Sequence, residues 1–335
     1  MKLPQDYIVS MFYQYAGYVK HKFSSHIYHG GCPTCHEGKS WKKKSRLNYI
    51  PNKDMIHCFN CNRTWSPTNW IMEQSGKKFF EIIEEAKEYN FDISELESND
   101  PLKENINPNI LPQDSINLFN SEQTNYYRNN KVVVDALKYL NSRRLTTAIN
   151  KPKAFYISLT DYIHKNRLVI PFYDIHNKII WYQTRALYKK DEVDRPKYLS
   201  KMDSEKSVYN IDNINPQLDY IFIFEGPIDS MFVQNGVAMA GLNLSETQTK
   251  QMQRYPLHQK IWVLDNEFDT NENVKDSMNR LLERGERVFI WPKKYKGIKD
   301  INSLCVKVNK DSISPDFFIK NSYEGSEGLC KLVTF

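Results

Sequence analysis

No run of about 18 apolar residues occurs in the 335-residue chain, so a membrane-spanning helix is not expected. The N-terminus, MKLPQDYIVS, lacks the basic-then-apolar order of a secretory signal. The expected location is therefore the cytoplasm, that of the host if the chain is phage-encoded. No internal repeat and no low-complexity tract interrupts the sequence. A phosphate-binding loop is also missing. Gly38-Lys39-Ser40 would need a glycine at position 33, where Pro33 stands, and no apolar strand precedes it. That excludes a P-loop ATPase. There are only six cysteines, and four of them form two CxxC pairs, with Cys305 and Cys330 apart. In a chain with no export signal this reads as metal binding rather than a disulfide framework.

The remaining composition is that of an ordinary globular protein, 40% hydrophobic and 26% charged, with length for two or three domains. The net charge of +6 is unevenly spread. Residues 1–70 carry ten Lys/Arg against three acids, whereas residues 73–104 carry four Lys against ten acids. A basic head suits a polyanionic partner; the plainer alternative is a solvated charged surface.

Cys32-Pro33-Thr34-Cys35 and Cys58-Phe59-Asn60-Cys61 are two knuckles, each able to aim two thiolates at one ion. Between them RLNYI, PNKD and MIHCF read as strand, turn and strand, the pattern of a zinc ribbon. His36 and His57 adjoin the ligands and could substitute for one, but are expected beside the metal or exposed. So small a module depends on its metal for folding energy. Trp41, Lys43, Arg46, Tyr49 and Trp65 place cations beside aromatics, which suits single-stranded nucleic acid; alternatively Tyr49 and Trp65 only cover the small core.

Residues 77–90 read as a helix with Phe80, Ile83 and Ala86 on one face, after a break at Ser75-Gly76. Residues 94–115, with three prolines and many asparagines, read as linker. A folded α/β pattern is expected from about residue 125: a helix at 131–144, a hairpin of strands 167–174 and 178–187 turning at His176-Asn177, then strands 219–226, 260–267 and 286–292 alternating with helices at 227–236 and 272–283. The expected domains are a ribbon (1–92), a linker (93–124), a first core subdomain (125–217), a catalytic subdomain (218–308) and a tail (309–335). The tail is expected either to dock a partner or to pack as a terminal strand or helix.

Glu225 follows the apolar strand IFIF, and Asp265 and Glu267 follow IWVL. Residues at the carboxyl ends of parallel strands line the ligand crevice, and grouped carboxylates hold hard divalent cations. Asp269 and Asp300 are expected to add ligands. The plainer alternative for each acid is a helix cap or a lysine pair.

These residues carry a family resemblance. EGPIDSMF resembles the glutamate motif of the Toprim domain, LDNEFD its paired-acid motif with Glu267 in place of the usual aspartate, AGLNL its glycine-containing turn, and GIKDINSL a late lysine-aspartate segment. ALKYLNSRRL, NRLVIPFYDIHNKIIWYQTRAL, RPKYLS, CPTCHEGKSW and HCFNC resemble further segments of the bacterial- and phage-type Toprim DNA primases, in the same order over residues 30–305. The pattern is nearest to primases of T-even tailed phages. Many bacterial relatives have Cys-His where this chain has its first Cys-Cys pair.

The resemblance implies an α/β fold: an N-terminal zinc ribbon followed by a primase core containing a mostly parallel Toprim sheet. It implies synthesis of short RNA primers on single-stranded DNA from ribonucleoside triphosphates, with structural Zn²⁺ and catalytic Mg²⁺ or Mn²⁺. Glu225, Asp265 and Glu267 would be catalytic, with Glu225 either a metal ligand or the general base. Arg167, Arg185, Lys197 and Lys201 would hold template or triphosphate. With no helicase motor in the sequence, a replicative helicase is expected in trans, with a single-stranded DNA-binding protein as a further candidate partner. A Toprim nuclease, or a non-catalytic zinc protein of recombination and repair, would share the same two motifs.

Overall fold

The computed structural model describes residues 3–22, 26–37, 41, 43–89, 110–192, 196–241 and 244–333. The expected linker over 93–109, Gly38-Lys39-Ser40, Arg195 and part of AGLNL lie outside the described residues.

Three five-stranded sheets follow one another along the chain. The first is an antiparallel meander of β1 (Gly17–Lys22), β2 (Ile27–Gly31), β3 (Leu47–Ile50), β4 (Met55–Cys58) and β5 (Thr64–Trp65). It is braced by helices α1 (Gln5–Tyr15), α2 (Pro67–Ser75) and α3 (Phe79–Lys87). α2 starts at Ser66, whose side chain accepts from Asn69 N, and stops at Gly76, whose left-handed φ of +71° suits glycine. Tyr7, Phe12, Tyr49, Trp65 and Trp70 fill this core. Trp41 lies across Gly17 and Gly31, where a Cβ would stand 2.9 Å from its ring. In α3 the buried residues are Ile82, Ile83 and Ala86, and Phe80 is exposed. Ile83 and Ala86 of the expected apolar face are therefore buried, and Ile82 rather than Phe80 completes it.

The second sheet is also an antiparallel meander, in the order β10-β9-β8-β7-β6. Its strands are β6 (Ser115–Asn117), β7 (Tyr156–Ser158), β8 (Arg167–Tyr173), β9 (Ile179–Ala186) and β10 (Tyr198–Ser200), with α4 (Ser121–Tyr126) and α5 (Lys131–Ser142) between β6 and β7. The expected linker extends too far, since β6 and α4 are regular structure before residue 125. A three-residue edge strand among polar residues leaves no alternation to detect.

The third sheet has the order β12-β11-β13-β14-β15. β11 (Tyr220–Phe224), β12 (Gly236–Ala238), β13 (Gln259–Val263) and β14 (Arg287–Phe289) are parallel, and β15 (Ser322–Tyr323) closes the edge antiparallel to β14. The connections are α6 (Pro227–Ser230), α7 (Glu246–Gln253) and α8 (Glu272–Glu283), followed by α9 (Ile301–Val308), α10 (Pro315–Lys320) and α11 (Gly325–Val333). The expected helix over 227–236 is a single turn, because Gly236 already belongs to β12. The tail packs: Phe318 is fully buried among Phe222, Phe224 and Phe289, and β15 extends the sheet. Sheets two and three share one continuous apolar core. Among the described residues no helix is long and apolar enough to cross a membrane.

Candidate active site and metal centres

The two cysteine knuckles converge. The Sγ atoms of Cys32, Cys35, Cys58 and Cys61 all lie within 4.8 Å of one another, the only such group of three or more among the described residues. A tetrahedral ion bound to sulfur at about 2.3 Å separates its ligands by about 3.8 Å. Cys35 and Cys58 Sγ are 3.8 Å apart. Contacts among the sulfurs push the Cys32 and Cys58 thiols up and the Cys35 and Cys61 thiols down, so four thiolates need a cation between them. His57 is not a ligand. Its Nδ1 pairs with Thr64 Oγ1 at 2.9 Å, and burial, then Arg167, lowers its pKa to about 3. The ring of His36 meets Trp41 edge-on.

The acids gather at the carboxyl ends of β11 and β13. Phe224 and Val263 are in register on adjacent parallel strands, so Glu225 and Asp265 stand one and two residues beyond the paired ends, and both line the same crevice. Asn266 fixes the opposing loop: its N–H donates to Lys299 O at 2.7 Å, and its Nδ2 donates to Tyr295 O and Ile298 O. That loop brings in Lys299 and Asp300. Asp300 caps α9 through Ser303 N at 2.7 Å and faces Arg143 at 3.9 Å. Asp229, one turn after Glu225, accepts from Asn302 N at 2.9 Å.

Together these side chains line a crevice of about 170 Å³: Glu225, Asp229, Asp265 and Asp300 on one side, Arg143, Arg185, Lys197 and Lys299 around them, with Gln183 and Asn62 at the wall. Desolvation raises the Asp265 pKa to about 7, assisted by Glu225 and Asp300. Desolvation raises the Glu225 pKa against the opposing pull of Lys206 and Lys299, although much of its side chain stays open to solvent, which weakens that rise. Burial and the Asp300 charge raise Asp229 well above the usual range. The Lys299 ammonium lies 2.6 Å from Glu267 Oε1 and 4.0 Å from Asp265 Oδ2, a cation shared by two carboxylates. Hard oxygen donors that repel one another and already attract an ammonium suit a divalent cation, though among the described residues no three of them approach within 4.8 Å as the sulfurs do.

On the cationic side, Arg185 stacks its guanidinium 4.7 Å over Tyr139 and 5.8 Å from Tyr198. Burial and then Arg185 lower the Lys197 pKa.

Other expected contacts lie elsewhere. Arg167 is fully buried, donating to Thr184 Oγ1, Pro196 O and Lys197 O, so it braces β9 and β10 and does not face a ligand. An arginine at a strand start gives no clue to which face it takes. Asp269 is drawn aside by Lys296 at 3.7 Å and lines a separate hollow with Pro292 and Gly297. Lys201 lines another hollow, with Asp161 and Met202. On the ribbon, Lys43 is exposed and Trp41 is half-buried over its glycines. Arg46 is held by Asn60 at 2.7 Å. Tyr49 and Trp65 are core residues.

Sequence reasoning missed Asp229, Arg143, Gln183, Lys206 and Asn62. Asp229 had a signal in its spacing of four from Glu225, one helical turn after a strand end. Arg143 lay inside ALKYLNSRRL. Lys206 is buried, with its pKa lowered to about 8 by desolvation, and no local pattern marks it. Asn62 comes from the ribbon. Its Nδ2 donates to Ala240 O at 3.0 Å, its carbonyl accepts from Ser200 Oγ at 2.8 Å, and Ser66 N donates to Asp203 Oδ1 nearby. The ribbon thus closes one end of the crevice.

The acidic residues of this crevice fall within residues 222–305, which match the family model described as Toprim-like, while Asn62, Arg143, Gln183, Arg185 and Lys197 lie outside that match. The chain resembles DNA primases. It is 28% identical over 308 residues to the DNA primase of Enterobacteria phage T4, covering 85% of this chain and 82% of that one. It is 21% identical over 290 residues to the DNA primase of Enterococcus faecalis (71% of this chain, 45% of that one) and 23% identical over 366 residues to that of Legionella pneumophila (95% and 57%). The chain therefore spans about half the length of these two bacterial relatives. Among solved structures, the zinc-binding and RNA polymerase domains of the Aquifex aeolicus primase align with a TM-score of 0.36 and 18% identity, over 98% of this chain and 82% of that one.

Proposed function

We propose that this chain is a DNA primase that joins ribonucleotides into short primers on single-stranded DNA. One observation carries the reading: Glu225 and Asp265, each just past the end of one of two adjacent parallel strands, line a single crevice together with Arg143, Arg185 and Lys197. Acids hold cations and cations hold phosphates, and a nucleotidyl transferase needs both within one small volume. The resemblance to DNA primases along most of the chain supports it.

Asp265 and Glu267 are the proposed holders of Mg²⁺ or Mn²⁺, with Asp300 adjoining. When bound, such ions lower the charge at the attacked phosphorus and stabilise the departing pyrophosphate. Lys299 would give up its place between the two carboxylates and turn toward the phosphates. Arg185, fixed between two tyrosine rings, and Lys197 orient the triphosphate or the template strand. Glu225 either completes the ligand set or takes the proton from the attacking 3′-hydroxyl, a role its raised pKa suits. The four cysteines hold Zn²⁺, which supplies the ribbon's folding energy. The exposed Lys43 side of the ribbon would lie along template phosphates. A replicative helicase acting in trans and a single-stranded DNA-binding protein are the proposed partners.

The test is a single-stranded DNA template with labelled ribonucleoside triphosphates and Mg²⁺. Short RNA products are expected. Degradation of the template without triphosphates would instead mark a nuclease, and binding without products a non-catalytic mediator.

A further inference from the structure

The crevice wall contains a side chain with no role in holding metal or phosphate. Gln183 sits in the middle of β9, opposite Ile170 on β8 and Ser200 on β10. It is only 2% exposed, yet it lines the crevice, and its Oε1 has no hydrogen-bond partner. An amide oxygen left unpaired in the interior is destabilising. It is one of several unpaired buried side-chain atoms among the described residues, Arg143 Nε and Arg185 Nε among them, but the amide that carries it lines the ligand crevice, where a bound molecule can supply the missing donor.

Position narrows what that donor is. Side chains two apart on a strand share a face and stand about 6.6 Å apart along it. Gln183 therefore shares the crevice face of β9 with Arg185, while Thr184 points the other way to Arg167 and His164. A triphosphate drawn to Arg185 and Lys197 places its sugar about one such step away, and its base farther still.

We propose that Gln183 accepts a hydrogen bond from the ribose 2′-hydroxyl of the bound nucleotide and selects ribonucleotides over deoxyribonucleotides; this rests on the nucleotidyl-transfer reading above. A hydroxyl supplies the O–H donor that the amide oxygen lacks. A 2′-deoxy sugar leaves that oxygen buried and unpaired, the arrangement that discriminates most strongly against a missing hydroxyl. Apolar contact alone would not distinguish the two sugars to this degree.

The experiment is a cycle of protein and substrate changes on a single-stranded template with Mg²⁺. Wild type, Gln183→Leu and Gln183→Asn are each supplied with ribo- and 2′-deoxyribonucleoside triphosphates, with thermal melting to verify folding. With Gln183→Leu, kcat/KM for ribonucleotides should fall about 10–100-fold while that for deoxyribonucleotides changes less than about 3-fold. Gln183→Asn, with the amide withdrawn by one methylene, should lose discrimination in the same direction and decides the matter if the leucine variant does not fold. Equal losses for both sugars, or unchanged discrimination, overturn the proposal. If neither variant folds, wild type decides: a 2′-fluoro sugar, similar in size but unable to donate, must be rejected like 2′-deoxy, and its acceptance overturns the proposal. Wild type that makes no product from ribonucleotides defeats the primase reading instead.

Discussion

The cysteine cluster and the acidic crevice are both sites for cations, built in opposite ways. The four sulfurs come from two tight knuckles on one antiparallel sheet and already lie within 4.8 Å of one another. The carboxylates come from two strand ends, a helical turn and a loop pinned by Asn266, and they meet around an open crevice. The first is a closed soft-ligand cage that supports the fold. The second is an open hard-ligand site that costs stability, since its acids repel one another and resist ionisation. Structural sites saturate their metal, whereas catalytic ones leave room for substrate.

The largest expected effect is on the cage. Cys58→Ser should reduce bound zinc from about one per chain to near zero, measured by metal analysis. With about 10 kcal/mol of metal-coupled folding lost, residues 3–89 should lose hydrogen-exchange protection. Full zinc content in that variant would break the contrast.

Next comes Asp265→Asn. Primer synthesis should fall about 10³-fold or more, roughly 4 kcal/mol of transition-state stabilisation. The metal-free melting temperature should stay level or rise, because a repelling charge is gone. A large loss of stability would mean that Asp265 supports the fold instead.

A pH series sharpens the same point. The Asp265 pKa is raised from an ordinary value to about 7. A raised carboxyl stabilises the fold fully below its unfolded pKa of about 4, and that contribution is lost as pH rises through about 7. Without divalent cation, melting temperature should fall between about pH 5 and 8. The stabilisation gained on adding Mg²⁺ should be larger at pH 8 than at pH 6, since the cation requires the carboxylate. Asp265→Asn should flatten both trends, and a Mg²⁺ effect independent of pH would contradict them.

The smallest effect joins the two sites. Asn62→Ala removes the donor to Ala240 O and puts alanine at a left-handed φ of 58°. About 1–2 kcal/mol of ribbon–core attachment should be lost, read as faster hydrogen exchange near residues 62–66. Unchanged exchange would show that the ribbon does not depend on that contact.

How legible each site was follows from the same difference. CxxC pairs place their ligands by local turn geometry, so Cys32, Cys35, Cys58 and Cys61 could be named from spacing alone. The parallel sheet and the strand-end acids Glu225 and Asp265 could be read because apolar strands alternating with helices announce themselves. Asp269 was expected to add a ligand, but its place is set by Lys296, which no spacing rule anticipates. Arg167 and Arg185 looked alike, and a difference in strand face sent one into the core and the other to the crevice. Gln183, Lys206 and Asn62 reach the site only through tertiary packing, from a strand centre, a loop and another sheet. The short elements β6, α4 and α6 left too few residues for any periodicity.

The central claim is that Asp265 and Glu267 hold a divalent cation, beside Glu225, where nucleotides are joined. Crystals soaked in Mn²⁺ and measured at the manganese absorption edge test it most directly. An anomalous peak between the Asp265 and Glu267 carboxylates in the wild type, absent in Asp265→Asn, is the expected result. No peak in the crevice, or a peak that survives the substitution unchanged, would contradict the account.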